Sequence, residues 1–129
     1  MKIKIDTPAY SFIKYKDDGS IDYISPVFCP FNYGSIPDTL APDGDRLDAI
    51  LLGKRISRGQ EIEADSVGRV YFYDAGEVDN KEILSQTSTT SMERFLVKMF
   101  FALFSFAKKI LNKAKGKNGR TYVEQIVWF

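Results

Sequence analysis

At 129 residues, with 44% hydrophobic and 14% aromatic side chains, the chain can bury a core without disulfides and is too apolar for a disordered segment. Eighteen basic and seventeen acidic residues leave a net charge of +1, which excludes the broad basic field of a general nucleic-acid binder. The chain has no histidine, so Ser-His and Cys-His catalysis are closed to it, and its single Cys29 excludes an internal disulfide.

Residues 2–6 and 11–16 alternate polar and apolar side chains, the pattern of half-buried strands. The opening Met1-Lys2-Ile3-Lys4-Ile5-Asp6 lacks the apolar core of a signal peptide, so a cytoplasmic location is expected. Asp17-Asp18-Gly19-Ser20 reads as a turn, with residues 21–24 returning as the hairpin partner. Cys29 follows Val27 and Phe28 and precedes Pro30, an apolar setting that suits an inert buried thiol. Pro26, Pro30, Pro37 and Pro42, with Gly34 and Gly44, predict an irregular, ligand-bearing region.

Residues 49–52 predict a short buried strand, and 61–64 and 67–73 further strands, the last rich in β-branched and aromatic residues. An acidic loop is expected over 74–81 and a short strand over 82–84. Thr90-Ser91-Met92-Glu93 fits a capping box and starts a helix expected to run from about 91 to 113. Its stretch M-F-F-A-L-F-S-F-A is too short to cross a bilayer, which takes roughly 18 to 20 apolar residues. A buried core helix is the first expectation, a subunit contact the second and a membrane surface the third. Exposed phenylalanines would be a liability, so a homo-oligomer is expected. A basic turn and a closing strand over 121–129 end the chain. With no repeat and no linker, residues 1–129 are read as a single domain: a mainly β, α+β unit of short strands forming a small barrel over 1–85, then the helix and the last strand.

Asp43-Gly44-Asp45-Arg46-Leu47-Asp48 places three carboxylates in six residues. Their mutual repulsion suits either a solvated acidic loop or a hard divalent cation such as Mg²⁺, which takes carboxylate oxygens. An EF-hand fits poorly, because Leu47 and Asp48 stand at its fifth and sixth positions.

Read as one block, P-F-N-Y-G-S-I-P-D-T-L-A-P-D-G-D-R-L-D resembles the signature region of soluble family I inorganic pyrophosphatases. Asp6-Thr7-Pro8, Ile13-Lys14-Tyr15, Val67-Gly68-Arg69-Val70 and the segment from Asp74 to Lys81 extend the likeness over residues 2–84. The resemblance implies a five-stranded, OB-like barrel and Mg²⁺-dependent hydrolysis of pyrophosphate to two phosphates, with several ions per site. It makes Asp43 and Asp48 metal ligands, joined by Asp74 and Asp79, with Asp6 at the outer metal cluster. Asp45 becomes the general base and Tyr33 lies beside the reaction centre. Lys14, Lys81 and Lys108 become phosphate contacts.

Several family positions depart. The phosphate-binding Arg has no counterpart near Ile21, Asp22 and Tyr23; a family Tyr is Cys29, and a family Glu is Lys16. Arg46 replaces the Pro of D-G-D-P, and the family's helical Tyr-Lys pair falls at Ala107-Lys108. The metal cradle is nearly intact while the phosphate clamp is depleted, so reduced activity, another phosphoanhydride such as a nucleotide, or an inactive metal- or phosphate-binding protein are the alternatives.

Overall fold

The described residues form ten strands and one helix. The computed structural model describes residues 1–15, 18–37 and 46–129, apart from the side chains of 12–15 and 22–28. The strands are β1 (Lys2–Thr7), β2 (Ser11–Tyr15), β3 (Ile21–Cys29), β4 (Asn32–Ile36), β5 (Leu47–Leu51), β6 (Glu61–Glu63), β7 (Asp65–Asp74), β8 (Glu77–Val78), β9 (Lys81–Ser85) and β10 (Tyr122–Trp128). The helix α1 is Ser91–Ala114.

Among the described residues the main sheet runs β10-β7-β9-β5-β4-β1-β6, with β8 paired to β7, while β2 and β3 form a separate hairpin. The mainly β architecture with one C-terminal helix agrees with expectation. The strand expected over 121–129 is β10, which pairs with β7 and lies at one end of this order. All neighbours in the sheet are antiparallel except β5 and β9, which run parallel with Asp48 in register with Lys81.

Part of the region expected to be irregular is strand. Residues 32–36 form β4, sandwiched between β1 and β5. Gly34 makes that possible: a Cβ there would lie 1.9 Å from the Lys4 carbonyl oxygen, so β1 and β4 approach closely only because no side chain intervenes. Asn32 fixes the entry to β4. Its Oδ1 accepts from Ala9 N at 3.1 Å and Ile56 N at 2.8 Å, and its Nδ2 donates to Lys54 O at 2.8 Å. One fully buried amide thus joins three chain segments.

Alternate residues of the central strands divide between two apolar clusters. One gathers Tyr33, Ile50, Val70, Phe72 and Ile83 beneath Val97, Phe100, Phe101 and Phe104 of α1. The other gathers Ile3, Ile5, Ile36, Ala49, Leu51 and Leu84. Each such side chain removed from water contributes about 1.5 to 3 kcal/mol, which is offset largely by chain entropy.

Helix α1 begins as expected: Thr90 Oγ1 accepts from Glu93 N at 3.1 Å while Glu93 returns to Thr90 N at 3.0 Å. Its burial is narrower than the apolar stretch implied. Val97, Phe100, Phe101 and Phe104 pack inward, whereas Phe95, Met99, Leu103 and Phe106 are exposed. The helix packs on the sheet from one side and lays only one stripe upon it. No described helix is long and apolar enough to cross a membrane.

Candidate active site

Strand alternation assembles the polar cluster. Tyr33 and Ser35 stand on one face of β4, and Ser35 is opposite Asp48 on β5, which is in turn level with Lys81 on β9. Side chains from three strands therefore converge at one end of the face that α1 covers.

Lys81 is the centre of that cluster. Its Nζ lies 2.9 Å from Asp48 Oδ2 and 2.7 Å from Asp79 Oδ2, and the side chain is 1% exposed. Tyr33 Oη donates to Asp48 Oδ2 at 3.2 Å. The ammonium also sits 5.9 Å from the ring centres of Tyr33 and Phe72. Burial by itself pushes the Lys81 pKa down, but the adjacent charges of Asp48 and Asp79 outweigh it and hold the pKa above the usual lysine value. Lys81 is therefore a fixed cation at neutral pH. Its two carboxylate partners, 32% and 23% exposed, still reach solvent.

The acidic segment after β7 is more ordered than a loop. Asp74-Ala75-Gly76-Glu77 is a two-residue hairpin with φ of 52° at Ala75 and 86° at Gly76, the left-handed pair of a type I′ turn. Asp79 N then donates to Phe72 O at 2.8 Å, and Asn80 Oδ1 accepts from Phe72 N at 3.1 Å, which steers the chain into β9.

Asp74 belongs to a different cluster. Its Oδ1 accepts from Asn112 Nδ2 at 2.5 Å, and its Oδ2 lies 3.5 Å from Lys108 Nζ. Burial pushes the Asp74 pKa up, but the Asn112 amide and the Lys108 charge prevail and hold it below the usual carboxylate value. Asn112 Nδ2 also donates to Thr121 Oγ1 at 3.0 Å, and Thr121 Oγ1 accepts from Ala75 N at 3.0 Å. Sequence reasoning missed Asn112 and Thr121. A polar residue on the inward stripe of an apolar helix was the available signal.

The structure thus joins Tyr33, Asp48, Asp79 and Lys81 in one cluster, and Asp74 with Lys108 in another. Asp6 is buried on β1, where the neighbouring Thr7 is paired with Tyr33. Asp43, Asp45 and the side chain of Lys14 lie outside the described residues.

The donor set fits a hard divalent metal. Asp48 and Asp79 already converge on one cation, and neither thiol nor imidazole competes with their oxygens. The buried Ser35 hydroxyl, opposite Asp48, has no hydrogen-bond partner among the described residues, which leaves a polar atom available to a bound water or ligand. Among the described residues no group of three or more potential ligands forms a ready-made metal site.

The family model for inorganic pyrophosphatase matches residues 3–99. The chain belongs to that family. An inorganic pyrophosphatase of Saccharolobus solfataricus is 40% identical over 92 residues, covering 64% of this chain and 53% of the relative. Inorganic pyrophosphatase 1 of Pseudomonas syringae is 38% identical over 90 residues, covering 63% and 51%. The chain spans about half the length of the curated relatives it matches. Two solved inorganic pyrophosphatases share the fold. That of Neisseria gonorrhoeae has a TM-score of 0.78 at 29% identity, and that of Thermus thermophilus 0.80 at 27%. Each comparison covers 99% of this chain and 82% of the other.

Proposed function

We propose that this chain hydrolyses inorganic pyrophosphate to two phosphates with the help of Mg²⁺, as a single-domain, homo-oligomeric cytoplasmic protein. Support comes chiefly from one observation: Tyr33, Asp48, Asp79 and Lys81 converge around one buried ammonium, and all four belong to the motifs that carry the family likeness.

In this reading Asp43, Asp48, Asp74 and Asp79 hold Mg²⁺, with Asp6 at the outer edge. When bound, the metal neutralises phosphate charge and acidifies water. Asp45 takes the proton of the attacking water, since it stands between two proposed ligands in sequence. Tyr33 donates to Asp48 and so holds that carboxylate's orientation. Lys14, Lys81 and Lys108 meet phosphate oxygens. For Lys81 and Lys108 the substrate competes with aspartates that already hold the ammonium groups.

The test is phosphate release from pyrophosphate with Mg²⁺, with EDTA, and with Asp45→Asn. Release that both EDTA and the variant abolish supports the reading. A folded protein that leaves pyrophosphate intact refutes it. The missing phosphate-binding Arg favours a second reading, in which a nucleoside triphosphate is the better substrate. Each lost charge-assisted contact costs about 1.5 to 3 kcal/mol of substrate or transition-state binding. Nucleotide hydrolysis exceeding pyrophosphate hydrolysis in the same assay would select it.

A further inference from the structure

A groove of about 690 Å³ opens between one flank of α1 and the strand β10, a size usual for small-molecule sites. No residue of the Lys81 or Asp74 clusters lines it. Arg94 meets Trp128 at one end, and Asn112 reaches Thr121 beyond the other, so the groove follows the helix axis. From Arg94 to Ser105 it runs for about 16 Å.

Its charge is confined to one end. Arg94 and Lys98 stand one helical turn apart, no acidic side chain lines the groove, and neither cation is in an ion pair among the described residues. Glu93, the nearest acid in sequence, is turned away to cap the helix, where it accepts from Thr90 N. Arg94 is held in place: its Nε donates to Thr89 Oγ1 at 3.0 Å, and its guanidinium carbon lies 5.0 Å from the Trp128 ring centre. Beyond Lys98 the walls are Ala102 from the helix and Val123 and Ile126 from the strand, with Gln125 and Ser105 as neutral polar groups.

We propose that this groove binds a single-tailed amphipathic anion, its acidic head on Arg94 and Lys98 and its alkyl tail along Ala102, Ile126 and Val123. The division of the lining selects that chemistry. A cation meets repulsion at the head, and a neutral ligand leaves two cations unmatched. A short anion leaves the apolar length of the groove in water. A flat aromatic ligand finds its natural platforms already engaged, because Trp128 lies against Arg94 and Tyr122 against Tyr73 and Arg120.

Trp128 is the only tryptophan of the chain, so its emission reports on the groove directly. Potassium laurate below its micelle concentration is expected to change that emission saturably, whereas dodecylamine and butyrate at equal concentration leave it unchanged. Calorimetric titration of the same protein then locates the two halves of the ligand. Lys98→Gln should weaken laurate about tenfold, the effect of losing one charge-assisted contact. Ala102→Phe, at an exposed helical position, should abolish binding by filling the tail channel while circular dichroism stays unchanged. Equal binding of laurate and dodecylamine would overturn the proposal, as would laurate binding that neither variant alters. So would a protein that ignores monomeric laurate and responds only to anionic phospholipid vesicles, which would make the groove part of a membrane-facing surface.

Discussion

Lys81 and Asp48 face each other across a parallel strand pair, ammonium to carboxylate at 2.9 Å, although 33 residues separate them in the chain. Asp79 completes the pair from the segment leading into β9. Removing one member of a buried ionic group leaves the others uncompensated, which typically costs 3 to 5 kcal/mol. Lys81→Met is expected to cost about 3 kcal/mol in urea unfolding, at the low end because both carboxylates reach water. Its pH dependence has a definite sign. The folded pKa lies above the ordinary lysine value of 10.5, so the stabilisation is complete below 10.5 and is lost as pH rises through the folded value. Lys81→Met should lack that alkaline component.

Asp74 behaves in the opposite sense. Its folded pKa is below the ordinary value of 3.8, so its contribution is present above 3.8 and disappears as pH falls through the folded value. Asn112→Ala removes the amide that holds it, at a cost of about 2 kcal/mol for a hydrogen bond to a charged group. Acid titration followed by tryptophan fluorescence should show the variant unfolding at higher pH than the parent.

Asn32 and Gly34 carry no chemistry in the proposed reaction, and both are expected to be intolerant of change. Asn32→Ala leaves the N–H groups of Ala9 and Ile56 without their acceptor, which costs about 3 kcal/mol in all. Gly34→Ala drives a methyl group into the Lys4 carbonyl and should lower the thermal midpoint at least as much. A thermal melt of either variant that overlays the parent's would contradict this account of β4.

Tyr33→Phe separates orientation from folding. The ring stays in the apolar cluster and the bond to Asp48 is lost. Stability should change by about 1 kcal/mol or less. Phosphate release, if Asp48 needs that bond to stay aligned, should fall about tenfold, equivalent to 1.4 kcal/mol. The loss is expected in kcat with KM little altered.

Much of this could be read in advance because it is local. The capping box at Thr90 and Glu93, the strand around 67–73 and the family motifs around Tyr33 and Asp48 each lie within a few consecutive residues. What escaped depends on register. Nothing near Lys81 in sequence says that β9 runs parallel to β5 and turns the lysine inward between two aspartates. Nor does the apolar run 99–107 reveal that α1 divides its side chains between the sheet and the outside, because the division follows from the helix meeting the sheet along one side. Asp74 was read as a metal ligand from its motif, and its tie to Asn112 emerges only when the end of α1 docks beside the β7 hairpin.

The parallel register of β5 and β9 also bears on how the molecule comes into being. The two strands are separated in the chain by β6, β7 and β8, so their pairing closes a long loop. Pairings of such long range pay their loop-closure entropy before any contact repays it, and they form slowly. Lys81 and Asp48 meet only through that pairing, so the charge cluster is expected to form late in folding. Substitutions at Lys81 should consequently hasten unfolding while leaving the rate of the initial collapse untouched.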